Sequence, residues 1–144
     1  MDQITNTLED LFKKLPSLPK NTKEVIVANA SILNYIVIAL TAYSLVMLFG
    51  FSSYFSTFAS LVPGHSLFGF TNILAIAFLA ISLVLFFKAI PGLKNRKIDG
   101  WNMMFYALLV ELIYSFFSGN LIGQLFGTAI GLYFLFQVKE YYKK

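Results

Sequence analysis

At 144 residues, 58% hydrophobic and 12% charged, with a mean hydropathy of +0.72, the chain is too apolar for a water-soluble domain, which carries roughly twice that charge. It has no cysteine, which excludes a disulfide framework, thiol chemistry and cysteine-ligated metal, and the single histidine, His65, cannot build a metal site alone. Net charge is +4, but in so apolar a chain the placement of the basic residues says more than their sum.

Residues 2–15 place Ile4, Leu8, Leu11, Phe12 and Leu15 at helical spacing, with Glu9, Asp10, Lys13 and Lys14 on the remaining arc. This predicts an amphipathic helix lying in the membrane interface, apolar face down, with residues 1–20 forming that helix and a linker. The stretch does not resemble a cleaved signal peptide, because acidic and basic residues are mixed and no small-residue cleavage site follows a short apolar core. Pro16 and Pro19 end the helix, and Asn21 with Glu24 has capping-box spacing, which places the start of the next helix near Thr22.

Residues 21–144 are expected to form the membrane domain, with spans at about 25–49, 67–87, 101–117 and 121–138. No charged residue lies between Glu24 and Lys88, room for two spans and a connection. In the first span Asn34, Thr41 and Ser44 share one helical face, which should look toward other helices. Gly50 is expected to end that span. The following FSSYFSTFASLVPGHS sets aromatic residues against serines and predicts a short outer interfacial helix closed by Pro63 and Gly64. The second span ends at Lys88 to Gly92 and leads into a basic loop carrying Lys94, Arg96 and Lys97. The last two spans form a tight hairpin turning at Ser118, Gly119 and Asn120.

Four basic residues precede the first span, four lie between the second and third, and three follow the fourth, which accounts for all eleven. Under the positive-inside rule both termini are cytoplasmic. The expected fold class is therefore an all-α, integral membrane four-transmembrane-helix bundle of the cytoplasmic membrane, carrying the two interfacial helices.

Glu111 lies ten residues beyond Trp101, about 15 Å deep, with no Lys or Arg inside any span to pair with it. Counting equal distances from the turn sets Glu111 level with Gly127, near Gln124 and Thr128, and Asn34 is at similar depth. Ala107, Glu111, Tyr114, Ser115 and Ser118 form one stripe, and Gly123, Gln124, Gly127, Thr128 and Gly131 another; the two are expected to face each other or a neighbour together. Glu111 then reads as interhelical glue bonded to Gln124, Thr128 or Asn34, or as the titrating group of a proton or cation path, the former being the simpler account.

Gly123, Gly127 and Gly131 extend the G-x-x-x-G pattern by one repeat and mark close helix packing, either within the chain or, less simply, against a second copy. No nucleophile elbow, phosphate-binding glycine loop, H-E-x-x-H or paired acids occur, so no enzymatic activity, cofactor or metal is expected. The expected role is an accessory or scaffolding subunit acting by helix–helix association. A proton-linked or cation-permeable transporter using Glu111 is the rival, and lipid binding beside the aromatic outer segment a third reading. Expected partners are membrane lipids and a second copy or another membrane protein, with no nucleic acid.

Overall fold

The computed structural model describes residues 2–59, 70–118 and 121–143. They form five helices, α1 (Asp2–Lys13), α2 (Lys20–Ala59), α3 (Phe70–Lys94), α4 (Ile98–Ser118) and α5 (Leu121–Gln137), and a closing 3-10 turn, Lys139–Tyr141. Among the described residues there is no strand beyond an isolated bridge, Lys97 to Lys143. Each long helix packs on the next in sequence, α2 on α3, α3 on α4 and α4 on α5, and α1 lies across the end of α5.

The amphipathic N-terminal helix forms, and part of its apolar face is docked on the chain while Leu11 and Leu15 stay exposed. Leu8 and Phe12 pack against the core cluster at the chain-end face, and Phe12 stacks on Phe136 with ring centroids 5.3 Å apart. Glu9 pairs with Lys13 at 3.0 Å and with Lys139, whose ammonium also sits 5.1 Å over the Trp101 ring. The linker is clamped too: the Tyr133 hydroxyl donates to the Pro16 carbonyl at 2.6 Å, and the Leu18 N–H donates to Gln137 Oε1 at 3.2 Å.

α2 begins at Lys20, with the Lys23 N–H donating to the Pro19 carbonyl at 3.1 Å, so Asn21 lies in the first turn and is not the cap. The expected break at Gly50 does not occur: α2 runs unbroken for 40 residues, and residues 51–59 continue it in place of a separate outer helix. A glycine inside a helix costs about 1 kcal/mol relative to alanine, while an apolar environment offers the backbone no alternative hydrogen-bond partners. The rest of that expected helix, with Pro63, Gly64 and His65, lies outside the described residues.

α3 continues past Pro91 to Lys94 and ends in a Schellman arrangement, with Arg96 left-handed at φ 52°, its N–H bonded to the Leu93 carbonyl and the Lys97 N–H to that of Gly92. The basic loop is then stitched to the C-terminal tail, Ile98 N–H to Lys143 O at 2.8 Å and Lys143 N–H to Arg96 O at 3.0 Å. α3 and α4 approach so closely that a Cβ on Gly92 would overlap the backbone of Gly100, and the reverse. That glycine pair positions the whole α3–α4 contact.

Two helices are long and apolar enough to cross a membrane, Lys20–Gly50 within α2 and Ile73–Lys94 within α3, while the apolar Leu125–Gln137 of α5 is shorter. α2 leaves Ile32, Ile36, Leu40, Tyr43 and Met47 exposed, a run of apolar surface unsuited to water. Asp99, Asn102 and Glu111 dilute the hydropathy of α4, although its 21 residues span about 32 Å.

Candidate functional site

The stripe Ala107–Glu111–Tyr114 exists, but it faces α2 and α3. Ala107 is fully buried in a cluster with Ile38 and Phe86. One turn further along α4, Glu111 and Tyr114 line a cavity of about 330 Å3 together with Thr41 and Ser44 of α2 and Leu79 of α3. Among the described residues, no α5 side chain lines that cavity. Of the residues expected beside Glu111, neither Thr128 nor Asn34 lines that cavity, and the Gln124 side chain lies outside the described residues.

The physical reason is azimuth. Distance from the turn sets the depth of a helical residue, whereas the 100° advance per residue sets its direction. The α4 face turned to α5 is the stripe Trp101, Phe105 and Leu108: Trp101 Nε1 donates to the Leu135 carbonyl at 2.7 Å, Phe105 meets Phe136 edge to face, and Leu108 packs under Gly131. Glu111 is three residues beyond Leu108, on the adjoining face.

Asn34 is 1% exposed on α2, seven residues or about 10 Å below Thr41. Its Nδ2 donates to the Phe86 carbonyl at 2.8 Å, while its buried Oδ1 has no partner among the described residues. Ser82, one turn from Phe86 on α3, is also 1% exposed and its hydroxyl has no such partner. Ser44 spends its proton on the Leu40 carbonyl at 2.9 Å. The α2–α3–α4 seam thus holds a carboxylate and hydroxyls around a cavity, and then an apolar layer of Ile38, Phe86 and Ala107 between it and Asn34. Thr41 and Ser44, legible in the sequence by their spacing from Asn34, are the site residues that the hairpin argument left out.

α5 splits into two halves. Gly131 meets the Leu108 side chain, where an added Cβ would lie 3.2 Å from Cδ2. An added Cβ on Gly127 would meet nothing within 4 Å, and Gly123 and Gly127 are both exposed, flanked by exposed Ile122, Phe126 and Ile130. Thr128 is buried with no partner for its hydroxyl among the described residues, and the Gln124 side chain lies outside them. The three glycines are one stripe in sequence, yet only Gly131 is shown against another helix of this chain.

Among the described residues, no three of His, Cys, Asp and Glu come together where they could hold a metal ion. Comparison with protein-family models, with curated proteins and with solved structures finds no match for the chain.

Proposed function

We propose that the chain is a non-enzymatic, four-span integral membrane protein that acts by helix–helix association, presenting the Gly123–Gly127 half of α5 to a second copy or to another membrane protein. The observation that carries this reading is the open space over Gly127. In lipid, helices associate through close backbone approach and dispersion, and small residues at four-residue spacing permit both. Gly131 is already engaged by Leu108, so the unengaged part of the motif is left for a partner. The one-sided distribution of all eleven basic residues supports four crossings with both termini in the cytoplasm. Energy transfer between donor- and acceptor-labelled copies in bilayers tests the reading. Gly127→Leu is expected to weaken self-association at least about tenfold, or about 1.4 kcal/mol. Transfer unchanged by that variant would remove the face from the mechanism.

One observation favours a second reading, in which Glu111 serves proton-linked or cation-permeable transport: its carboxylate lines a cavity with Thr41, Ser44 and Tyr114. Intramembrane acids beside polar cavities are typical of ion and proton paths. Vesicles loaded with a pH-sensitive dye test it, since equal flux through native and Glu111→Gln protein would exclude the carboxylate.

A further inference from the structure

Two hollows of opposite character meet at one side chain. An apolar crevice of about 170 Å3 lies between α2 and α5, walled by Ile26, Leu33, Val37, Leu108 and Leu135. A charged cleft of about 510 Å3 lies at the chain-end face beneath α1, lined by Glu9, Lys13, Lys23, Lys139 and Glu140. Tyr142 is the one residue among those described that lines both. It is 6% exposed, and its buried hydroxyl has no partner among the described residues.

The dimensions and charges fit an amphiphile. Along α2 the crevice wall rises from Ile26 to Val37, about 16 Å, close to half of a bilayer's hydrocarbon thickness and so to the depth of one leaflet. In the cleft three lysines outnumber two glutamates, Lys13 and Lys139 pairing with Glu9 and Lys23 with Glu140, and Arg96, whose carbonyl accepts from the Lys143 N–H next to Tyr142 at 3.0 Å, adds positive charge nearby. A buried hydroxyl that can donate, set between an apolar slot and an excess of cations, suits a phosphate oxygen whose attached chain runs into the slot.

We propose that this composite site holds one anionic glycerophospholipid of the leaflet nearest the chain ends, one acyl chain in the α2–α5 crevice and its phosphate at the Tyr142 hydroxyl beneath α1. One chain is assigned to the crevice, of about 170 Å3, and the second chain stays in the bilayer. α1, held by the Glu9–Lys139 pair and the Phe12–Phe136 stack, roofs the headgroup. The site is separate from the Gly127 face and does not depend on the association reading.

Native mass spectrometry of the full chain, equilibrated with phosphatidylglycerol and phosphatidylcholine of identical acyl chains, tests the proposal. The expected result is one retained phosphatidylglycerol per chain, preferred at least about tenfold. Ala30→Phe, which fills the crevice, should abolish retention of both lipids. Tyr142→Phe, nearly isosteric and so the safer variant for folding, should erase most of the headgroup preference. Equal retention of the two lipids, or a preference that survives Tyr142→Phe, would overturn the proposal. So would a lipid-free dimer that Ala30→Phe disrupts, which would assign the crevice to a second copy of the chain.

Discussion

Gly92 and Gly100 meet backbone to backbone across the α3–α4 contact, each in the space a Cβ on the other would need. The basic loop between them is thereby closed into a tight turn, and the two helices are set at the separation that brings Ala107 against Phe86. Because the opposing atoms are main chain, neither partner can yield as a side chain would. Gly92→Ala and Gly100→Ala should each destabilise the fold by about 3 kcal/mol, the upper part of the range for overpacking. Gly131→Ala, opposed only by the end of Leu108, should cost about 1 kcal/mol or less, and Gly127→Ala should be neutral for the isolated chain. Denaturation in mixed micelles would measure this order, and a mild Gly92→Ala would refute the close crossing.

Asn34 and Ser82 are equally buried but differ in what they have bonded. Asn34 spends its amide on the Phe86 carbonyl, whereas the Ser82 hydroxyl has no partner among the described residues. Removing a hydrogen-bonded polar group from a membrane helix costs about 0.6 to 2 kcal/mol, and removing an unpaired one costs nothing of that kind. Asn34→Ala should therefore be the more destabilising of the pair, with Ser82→Ala neutral or stabilising. The same denaturation assay decides, and a costly Ser82→Ala would reveal a partner for its hydroxyl.

α1 docking should depend on pH. Hydrogen bonds from Lys139 and then Lys13 hold the Glu9 carboxyl below its ordinary value of 4.5, with burial opposing them. A carboxyl whose pKa is lowered in the folded state contributes stability that is complete above its unfolded value and is lost as pH falls through the folded one. α1 should thus stay docked at neutral pH and loosen only below about 4.5, and Glu9→Gln should loosen it at every pH. Protease cleavage in the Leu15–Pro19 linker reports docking, as does fluorescence of Trp101, which lies beneath Lys139. Cleavage independent of pH from 7 to 3 would show that the ion pair does not hold the helix.

Glu111 lines a cavity and is not shown bonded to α5, so replacing it should disturb the fold little. Glu111→Leu is expected to be neutral or slightly stabilising, since it fills part of the space beside Thr41 and Ser44. Were the acid interhelical glue, the same change would cost about 0.6 to 2 kcal/mol. Comparing Glu111→Leu with Glu111→Gln in unfolding experiments separates these outcomes.

Helical character was legible in the sequence, direction much less so. The charge-free run from Val25 to Phe87 and the clustering of basic residues defined the apolar helices, and of the face expected to look inward Asn34 and Thr41 are buried while Ser44 is exposed. The cavity that Glu111 lines with Thr41 and Ser44 was not foreseen, because equal distance from a turn does not determine which face of α4 meets α5. That choice was made by Trp101, Phe105 and Phe136, whose aromatic packing rotates α4 so that Leu108 lies under Gly131. The Gly92–Gly100 crossing was not legible, since nothing local in sequence distinguishes a glycine at a helix end from one in a backbone crossing. The docking of Leu8 and Phe12 was not legible, because the surface they meet includes Phe136 and Lys139, more than a hundred positions away.

The central claim, that α5 associates with a partner through its open glycine face, is tested most directly by disulfide formation in membranes. The chain has no cysteine, so a single introduced thiol reports its own position. Under mild oxidation Gly127→Cys should form a covalent dimer quickly. Leu132→Cys, buried at 5% exposure, should not, and Ile36→Cys, exposed on α2, should react only at the slow rate of random collision. Gly127→Cys crosslinking no faster than Ile36→Cys, with no partner protein captured at that position in cells, would contradict the account.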